Sequence, residues 1–203
     1  MLSAFARASV GTTEIKQNVF TTAAINEPRY KWASMQMEVG SQTSAIKTTS
    51  AAVTRAADVP TISTSSMGFN ASEGTFICEF ITPSVRPAVA GVLVGGDSLS
   101  NLYTGDAGQA FYYNGTALVT SANSPAAGSL AKIAFSYLPS GTLLCLNAGS
   151  VASSSAAIAT QSNPFRIGSS LASQFYLNST IFNLVYYPRK FTATELQSAS
   201  TQG

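Results

Sequence analysis

Hydrophobic and polar residues alternate in short runs along most of this chain, and turn-forming residues separate the runs. "GTFICEFIT" (74–82) places Phe76, Cys78 and Phe80 on one side, the period of two that a half-buried strand requires. Pro83 and Pro87 then break the ladder. "AVAGVLVGG" (88–96) predicts a second strand, ended by Gly95, Gly96 and Asp97. "QAFYYNG" (109–115) followed by "TALVT" predicts a hairpin, because Asn114-Gly115 suits a two-residue turn with positive φ. "AKIAFSYL" (131–138) sets Ile133, Phe135 and Tyr137 on one face, and Pro139-Ser140-Gly141 turns the chain into "TLLCLNAG". "PFRIGSS" (164–170) is short, and "TIFNLVYY" (180–187) closes the set with Phe182, Leu184 and Tyr186 on one face.

Seven or more strands spaced by about ten residues predict an all-β fold, an antiparallel β-sandwich or jelly roll. After Pro188, Thr192-Ala-Thr-Glu195 matches a capping box and predicts a short C-terminal helix to about Ala199. Leu196 and Phe191 are its apolar contacts, so the helix is expected to plug an edge or corner of the sandwich.

Residues 1–53 lack any sustained period. Their aromatics Phe5, Phe20, Tyr30 and Trp32 lie far apart, and Asn26-Glu27-Pro28 favours extended or turning backbone. This composition predicts an extended N-terminal arm that gains order from a surface, ahead of a sandwich domain over 54–203.

Composition narrows the chemistry. Charged residues make up 10% of the chain, and eleven basic against nine acidic residues leave a net charge of +2. No run of Lys or Arg provides the electrostatic footprint of a nucleic-acid binder. No apolar stretch is long enough to span a bilayer, and "MLSAFARASVG" is a poor signal peptide because Arg7 cuts its apolar core. A soluble protein, not exported by its own signal, is expected.

Histidine is absent, which removes imidazole-based catalysis and imidazole-bound zinc. No glycine-rich phosphate loop is present, and no cofactor is expected. Paired carboxylates remain as a route to glycoside hydrolysis, at roughly 5–9.5 Å separation. None of the nine acids lies two or four residues from another, so no strand presents such a pair on one face. Cys78 and Cys145 each sit in an apolar run; two buried free thiols are expected, with a disulfide open only if their strands are neighbours.

With those residues in hand, "FRIGSS" and "TIFNLVYYPRKFTATELQ" resemble the C-terminal part of concanavalin A-like, laminin-G-like jelly rolls. The matching places are held by Arg166-Ile167-Gly168, Ile181, Leu184, Tyr186, Tyr187, Pro188, Arg189, Phe191, Thr192, Glu195 and Leu196. "GTFICEF" resembles the first long strand of such domains. "NEPRYKW" (26–32) and "RAADVPTIS" (55–63) resemble segments found ahead of this jelly roll in bacteriophage virion proteins, tail-fibre types included. The chain departs from that pattern between the two segments, where a Glu-x-x-Arg-Thr-Asn stretch is missing. The Glu-x-Asp-x-Glu strand of sandwich-fold glycosidases is also missing, so no catalytic residue carries over.

The resemblance implies a non-enzymatic virion structural protein, of the capsid-decoration, head-fibre or tail-fibre kind. Its arm would join other virion proteins of the capsid, neck or tail, and homo-oligomers, trimers among them, suit such a role. The alternative is an adhesin that binds host surface polysaccharide; a glycan-cleaving enzyme ranks below both. Sites are weighed against plainer roles. Asp97, Asn101 and Asp106 in the predicted loop "GGDSLSNLYTGDAG" offer calcium-type oxygen ligands or serve as solvated turn residues. Tyr103, Tyr112 and Tyr113 offer a sugar-stacking platform or divide between core and surface. Asn70, Asn114 and Asn178 head chance glycosylation sequons, and Arg189 and Lys190 blunt an edge or cap a turn.

Overall fold

A computed structural model describes residues 59–202, apart from 84–89, 98–99, 106–107, 117, 156 and 173–174. The arm residues Phe5, Phe20, Tyr30 and Trp32, and the loop residue Asp106, lie outside the described residues. The described chain forms two antiparallel sheets and one short helix. Five strands, β2 (Gly74–Ile81), β7 (Leu130–Leu138), β8 (Gly141–Leu146), β9 (Ala152–Ser154) and β11 (Ile181–Tyr187), form one sheet in the order β11-β2-β7-β8-β9. The other contains β1 (Thr61–Ile62), β3 (Ala90–Gly95), β4 (Asn101–Gly105), β5 (Ala110–Tyr113), β6 (Leu118–Thr120) and β10 (Phe165–Ile167). Its order is β1-β10-β3-β4-β5-β6.

The alternating runs explain the core. β2 and β7 pair without a break from Gly74 opposite Tyr137 to Ile81 opposite Leu130. Their inward positions are therefore Phe76, Cys78 and Phe80 on one strand and Ile133, Phe135 and Tyr137 on the other, all buried in one cluster. Leu93, Leu102, Tyr112, Val119 and Phe165 of the six-stranded sheet meet them. A closed ring of hydrogen bonds pins the segment before β2 to this core. Asn70 N–H donates to the Tyr186 hydroxyl at 2.9 Å, the two tyrosine hydroxyls lie 2.9 Å apart, and Tyr137 donates to the Asn70 carbonyl at 2.6 Å. Burial raises the Tyr137 phenol above its ordinary pKa, so it stays a donor.

Four expectations need correction. Residues 101–105, read as loop, form β4, buried along its whole length; its polar-rich sequence hides a strand covered on both faces. The β5–β6 connection has four residues, since Tyr113 stands opposite Leu118. Phe182 does not share a face with Leu184 and Tyr186. The register of β11 shifts between Ile181 and Asn183, so Phe182 is the extra residue of a bulge. Ile181 takes the place against the core, and Phe182 is 61% exposed.

The fourth concerns helix α1 (Ala193–Ala199), which lies on the outer face of β7 and β8 instead of plugging an edge. Phe191 and Leu196 pack against Ala134 and Cys145, whose small side chains leave room for a helix. The capping box forms in both directions: Glu195 N–H donates to Thr192 Oγ1 and Thr192 N–H to Glu195 Oε2. Below it, Phe191 N–H donates to the paired hydroxyls of Thr75 and Ser136, each at 3.0 Å. Beyond its last turn, Ser200 Oγ accepts from Ala148 N–H at 3.1 Å and donates to Cys145 Sγ at 3.2 Å.

Cys78 faces the core and Cys145 faces the helix, with β7 between their strands, and both are free thiols as expected. Burial pushes the Cys78 thiol up to about 12, helped by the nearby Glu79 charge, and raises Cys145 as well. Neither is poised as a thiolate at neutral pH.

The helix contact is testable by denaturant unfolding. Leu196→Ala should cost about 2–5 kcal/mol, against about 1 kcal/mol for the cap variant Thr192→Ala. Equal, small losses would show that Leu196 does not anchor the helix.

Candidate functional site

Asp97 follows β3 and acts as a latch. Its Oδ2 accepts from the Ser162 N–H, from Ser162 Oγ at 2.7 Å and from the Asn163 N–H at 3.1 Å; Oδ1 accepts from Asn163 Nδ2 at 2.9 Å. Asp97 N–H donates to Gln161 Oε1 at 2.8 Å. Together these bonds stitch the segment 161–163 to the β3–β4 connection. Burial alone would raise the carboxyl pKa; the Ser162 N–H, the Asn163 amide and the remaining donors outweigh it and hold the group below its ordinary value. Asn101 lies on β4, 1% exposed, and its Nδ2 donates to the Tyr103 hydroxyl at 2.7 Å. The structure thus places the first two calcium candidates in hydrogen bonds within the chain. Among the described residues, no group of three or more His, Cys, Asp or Glu side chains is arranged to hold a metal ion.

The three tyrosines separate. Tyr112 points between the sheets, 2% exposed, with its ring 4.5 Å from that of Phe135. Its hydroxyl reaches Ser100 Oγ at 3.2 Å, and burial pushes its pKa up to about 12. Tyr103 and Tyr113 point to the opposite, outer face of the six-stranded sheet. There Tyr103 stacks on Phe111 at 4.8 Å between centroids, and Phe175 meets it edge-on at 6.2 Å. Tyr113 is half-buried and donates to the Gly115 carbonyl at 2.7 Å.

This outer aromatic group is Tyr103, Phe111, Tyr113 and Phe175 around Val92. Phe111 was legible in the sequence as the residue two before Tyr113, on the same face of β5. Phe175 was not: it sits in a loop at φ 53°, and its carbonyl accepts from Val92 N–H at 2.8 Å. A non-glycine residue held there costs of order 1–3 kcal/mol, so the surrounding bonds fix it. Gly95 explains how the chain crosses this face. A side chain at that position would land on the Ser169 carbonyl, so only glycine lets residues 169–170 pass over the sheet.

The described carboxylates each have a neighbour or partner within the chain. Glu195 completes the cap and pairs with Arg189 at 2.9 Å, while Arg189 also lies over the Phe191 ring at 4.2 Å. Glu79 stands beside Lys132 and Asn183 in the sheet register, and Glu73 lies 3.4 Å from the Lys190 N–H. Asp97 is held in its latch.

No protein-family model matches this chain, and no curated protein does. Solved structures match at low identity. The CBM40 of the Ruminococcus gnavus IT-sialidase bound to alpha2,3 sialyllactose superposes with a TM-score of 0.54 at 13% identity, over 66% of this chain and 84% of that one. The fold is a jelly-roll β-sandwich. Trypanosoma rangeli sialidase matches with a TM-score of 0.48 and 15% identity over 62% of this chain, which spans 22% of the sialidase. A heptameric SAP-like pentraxin from Limulus polyphemus gives 0.49 and 10%, over 64% of this chain and 70% of that one.

The latch carries a pH signature. Because the folded carboxyl titrates below its unfolded value, its contribution is complete above the unfolded pKa and is lost as pH falls through the folded one. Asp97→Asn should therefore melt lower than the parent at neutral pH, with the gap closing in acid. A gap independent of pH would rule out the charged latch.

Proposed function

We propose that this chain is a non-catalytic structural protein of a bacteriophage particle, with the jelly roll as its outward contact module and residues 1–53 as its attachment. The observation that supports the non-catalytic part is the disposition of the four carboxylates among the described residues. Glu195 and Asp97 are consumed in a helix cap and a loop latch, Glu79 stands opposite Lys132 in the sheet register, and Glu73, just before β2, accepts from the Lys190 N–H. Glycoside hydrolysis needs two carboxyl groups facing one bond across a cleft, and a chain without histidine has few other general bases. The resemblance of residues 26–32 and 55–63 to segments of virion proteins supports the particle, and with it a virion location and virion partners. Copies of one chain arrayed by symmetry would repeat a single attachment many times. Deleting residues 1–50 should leave a folded domain that no longer joins particles; truncated protein on purified virions would count against the reading.

One observation favours a second reading, a polysaccharide-binding adhesin. Phe111 and Tyr113 are half-buried and Phe175 is 37% exposed on one sheet face, and aromatic faces of this kind stack on the C–H face of sugars. The matching CBM40 is a carbohydrate-binding module, seen with alpha2,3 sialyllactose. Of the three tyrosines first considered, Tyr113 is the accessible one, since Tyr103 is 5% and Tyr112 2% exposed. If the adhesin reading holds, a glycan array gives hits that Tyr113→Ala weakens by roughly tenfold or more, the scale of a lost aromatic contact. An empty array, with normal adsorption by particles lacking the protein, would dismiss it.

A further inference from the structure

The connection from β9 to β10 carries the chain from one sheet to the other, and polar side chains hold it at both ends. Asp97 binds Ser162 and Asn163. Asn114 binds the near end: its Nδ2 donates to the Ala157 carbonyl at 3.0 Å, an oxygen that the Tyr112 hydroxyl also reaches at 3.3 Å. Asn114 and Gly115 open the β5–β6 turn. Thr116 N–H donates to Asn114 Oδ1 at 3.0 Å, closing a ring that contains both Asn114 Cγ and the Gly115 nitrogen. The same bond draws electrons toward Oδ1 and leaves Cγ more electrophilic. Gly115, at φ 92°, has no Cβ to shield its nitrogen, and among the described residues its N–H has no hydrogen-bond partner. Two other asparagines give the contrast. Asn70 accepts the same kind of bond, from Ser72 N–H at 2.9 Å, but Ala71 follows it; Asn163 precedes Pro164, which has no N–H.

We propose that Asn114 is a self-modifying residue: it deamidates through Gly115, and the change releases the Ala157 end of this connection. The Gly115 nitrogen loses its proton to base and attacks Asn114 Cγ. The new C–N bond closes a succinimide ring, and Nδ2 takes up a proton and leaves as ammonia. Water then adds to either ring carbonyl, and the ring C–N bond at that carbon breaks. One opening gives aspartate; the other gives isoaspartate, with the main chain routed through the side chain. A water is consumed and an ammonia released, with no oxidant or cofactor. In either product the Nδ2 donor to Ala157 is gone and a negative charge has entered the turn. Tyr113, whose hydroxyl donates to the Gly115 carbonyl at 2.7 Å, immediately precedes the site, so the charge arises beside the outer aromatic group. The chemistry needs neither the virion nor the adhesin reading.

Full-length protein is held folded in warm, mildly alkaline buffer and sampled over days for peptide mapping by mass spectrometry, with electron-transfer fragmentation to separate aspartate from isoaspartate. Asn114 should convert at least about tenfold faster than Asn70, because a Cβ crowds the attacking nitrogen after Asn70 and none does after Asn114. Asn163 should stay intact. Gly115→Ala should bring Asn114 down to the Asn70 rate; the Asn70 comparison within the parent stands even if that variant folds poorly. Hydrogen exchange then reads the release. In the aged protein and in Asn114→Asp, the Ala159 N–H, which donates to Ser100 Oγ at 3.1 Å, should exchange about fivefold faster, the scale of one lost hydrogen bond. The Ser162 and Asn163 amides, held by Asp97, should keep their protection. An Asn114 that converts no faster than Asn70 overturns the site. Conversion that leaves Ala159 exchange unchanged overturns the release.

Discussion

Burial of β7 on both faces is the constraint on which the rest of this structure depends. Its inward residues Ile133, Phe135 and Tyr137 fill the sandwich core, and its outward Ala134 and Ser136 receive the helix and the turn that leads into it. β2 lies alongside in continuous register, so an error of one residue would exchange the two sets of side chains. Large residues would then face the helix, and small or hydroxylated ones the core. Alternation in "AKIAFSYL" is therefore a specification of two different surfaces. Such a strand tolerates very little sliding.

Around that strand the molecule is closed by local polar devices, each satisfying backbone groups that would otherwise be stranded. Thr75 and Ser136 hold the chain entering the helix, and Ser200 holds it leaving. The Asn70–Tyr186–Tyr137 ring ties down the segment before β2, and Asp97 ties a long connection to the β3–β4 turn. Hydroxyls and amides do most of this. That explains how a chain with few charges but many Ser and Thr residues sustains two packed sheets: in a sandwich, short polar side chains bond to nearby backbone with little entropy to lose.

The six-stranded sheet differs on its two faces. Its inner face belongs to the core, while its outer face carries Tyr103, Phe111 and Tyr113 with Phe175 laid against them from a loop. On the five-stranded sheet α1 covers the outer face of β7 and β8, and Tyr187 of β11 packs its ring against Phe191 at 5.0 Å.

The sequence by itself determined the all-β class, most of the strands, the capped helix and the inward residues of β2 and β7, because strict alternation and turn residues act over a few positions. The Cys78 and Cys145 runs and the Thr192–Glu195 cap were legible for the same reason. Tertiary structure alone decided what depends on neighbours distant in sequence. It buried Asn101-Leu-Tyr-Thr-Gly105 as a strand despite its polar residues, and a bulge against β2 turned Phe182 out of the face that alternation had assigned it. It sent Tyr112 inward and Tyr103 outward, and it brought Phe175 to Tyr103 across more than seventy residues. Local periodicity encodes which face a side chain prefers, but only sheet order decides which faces meet.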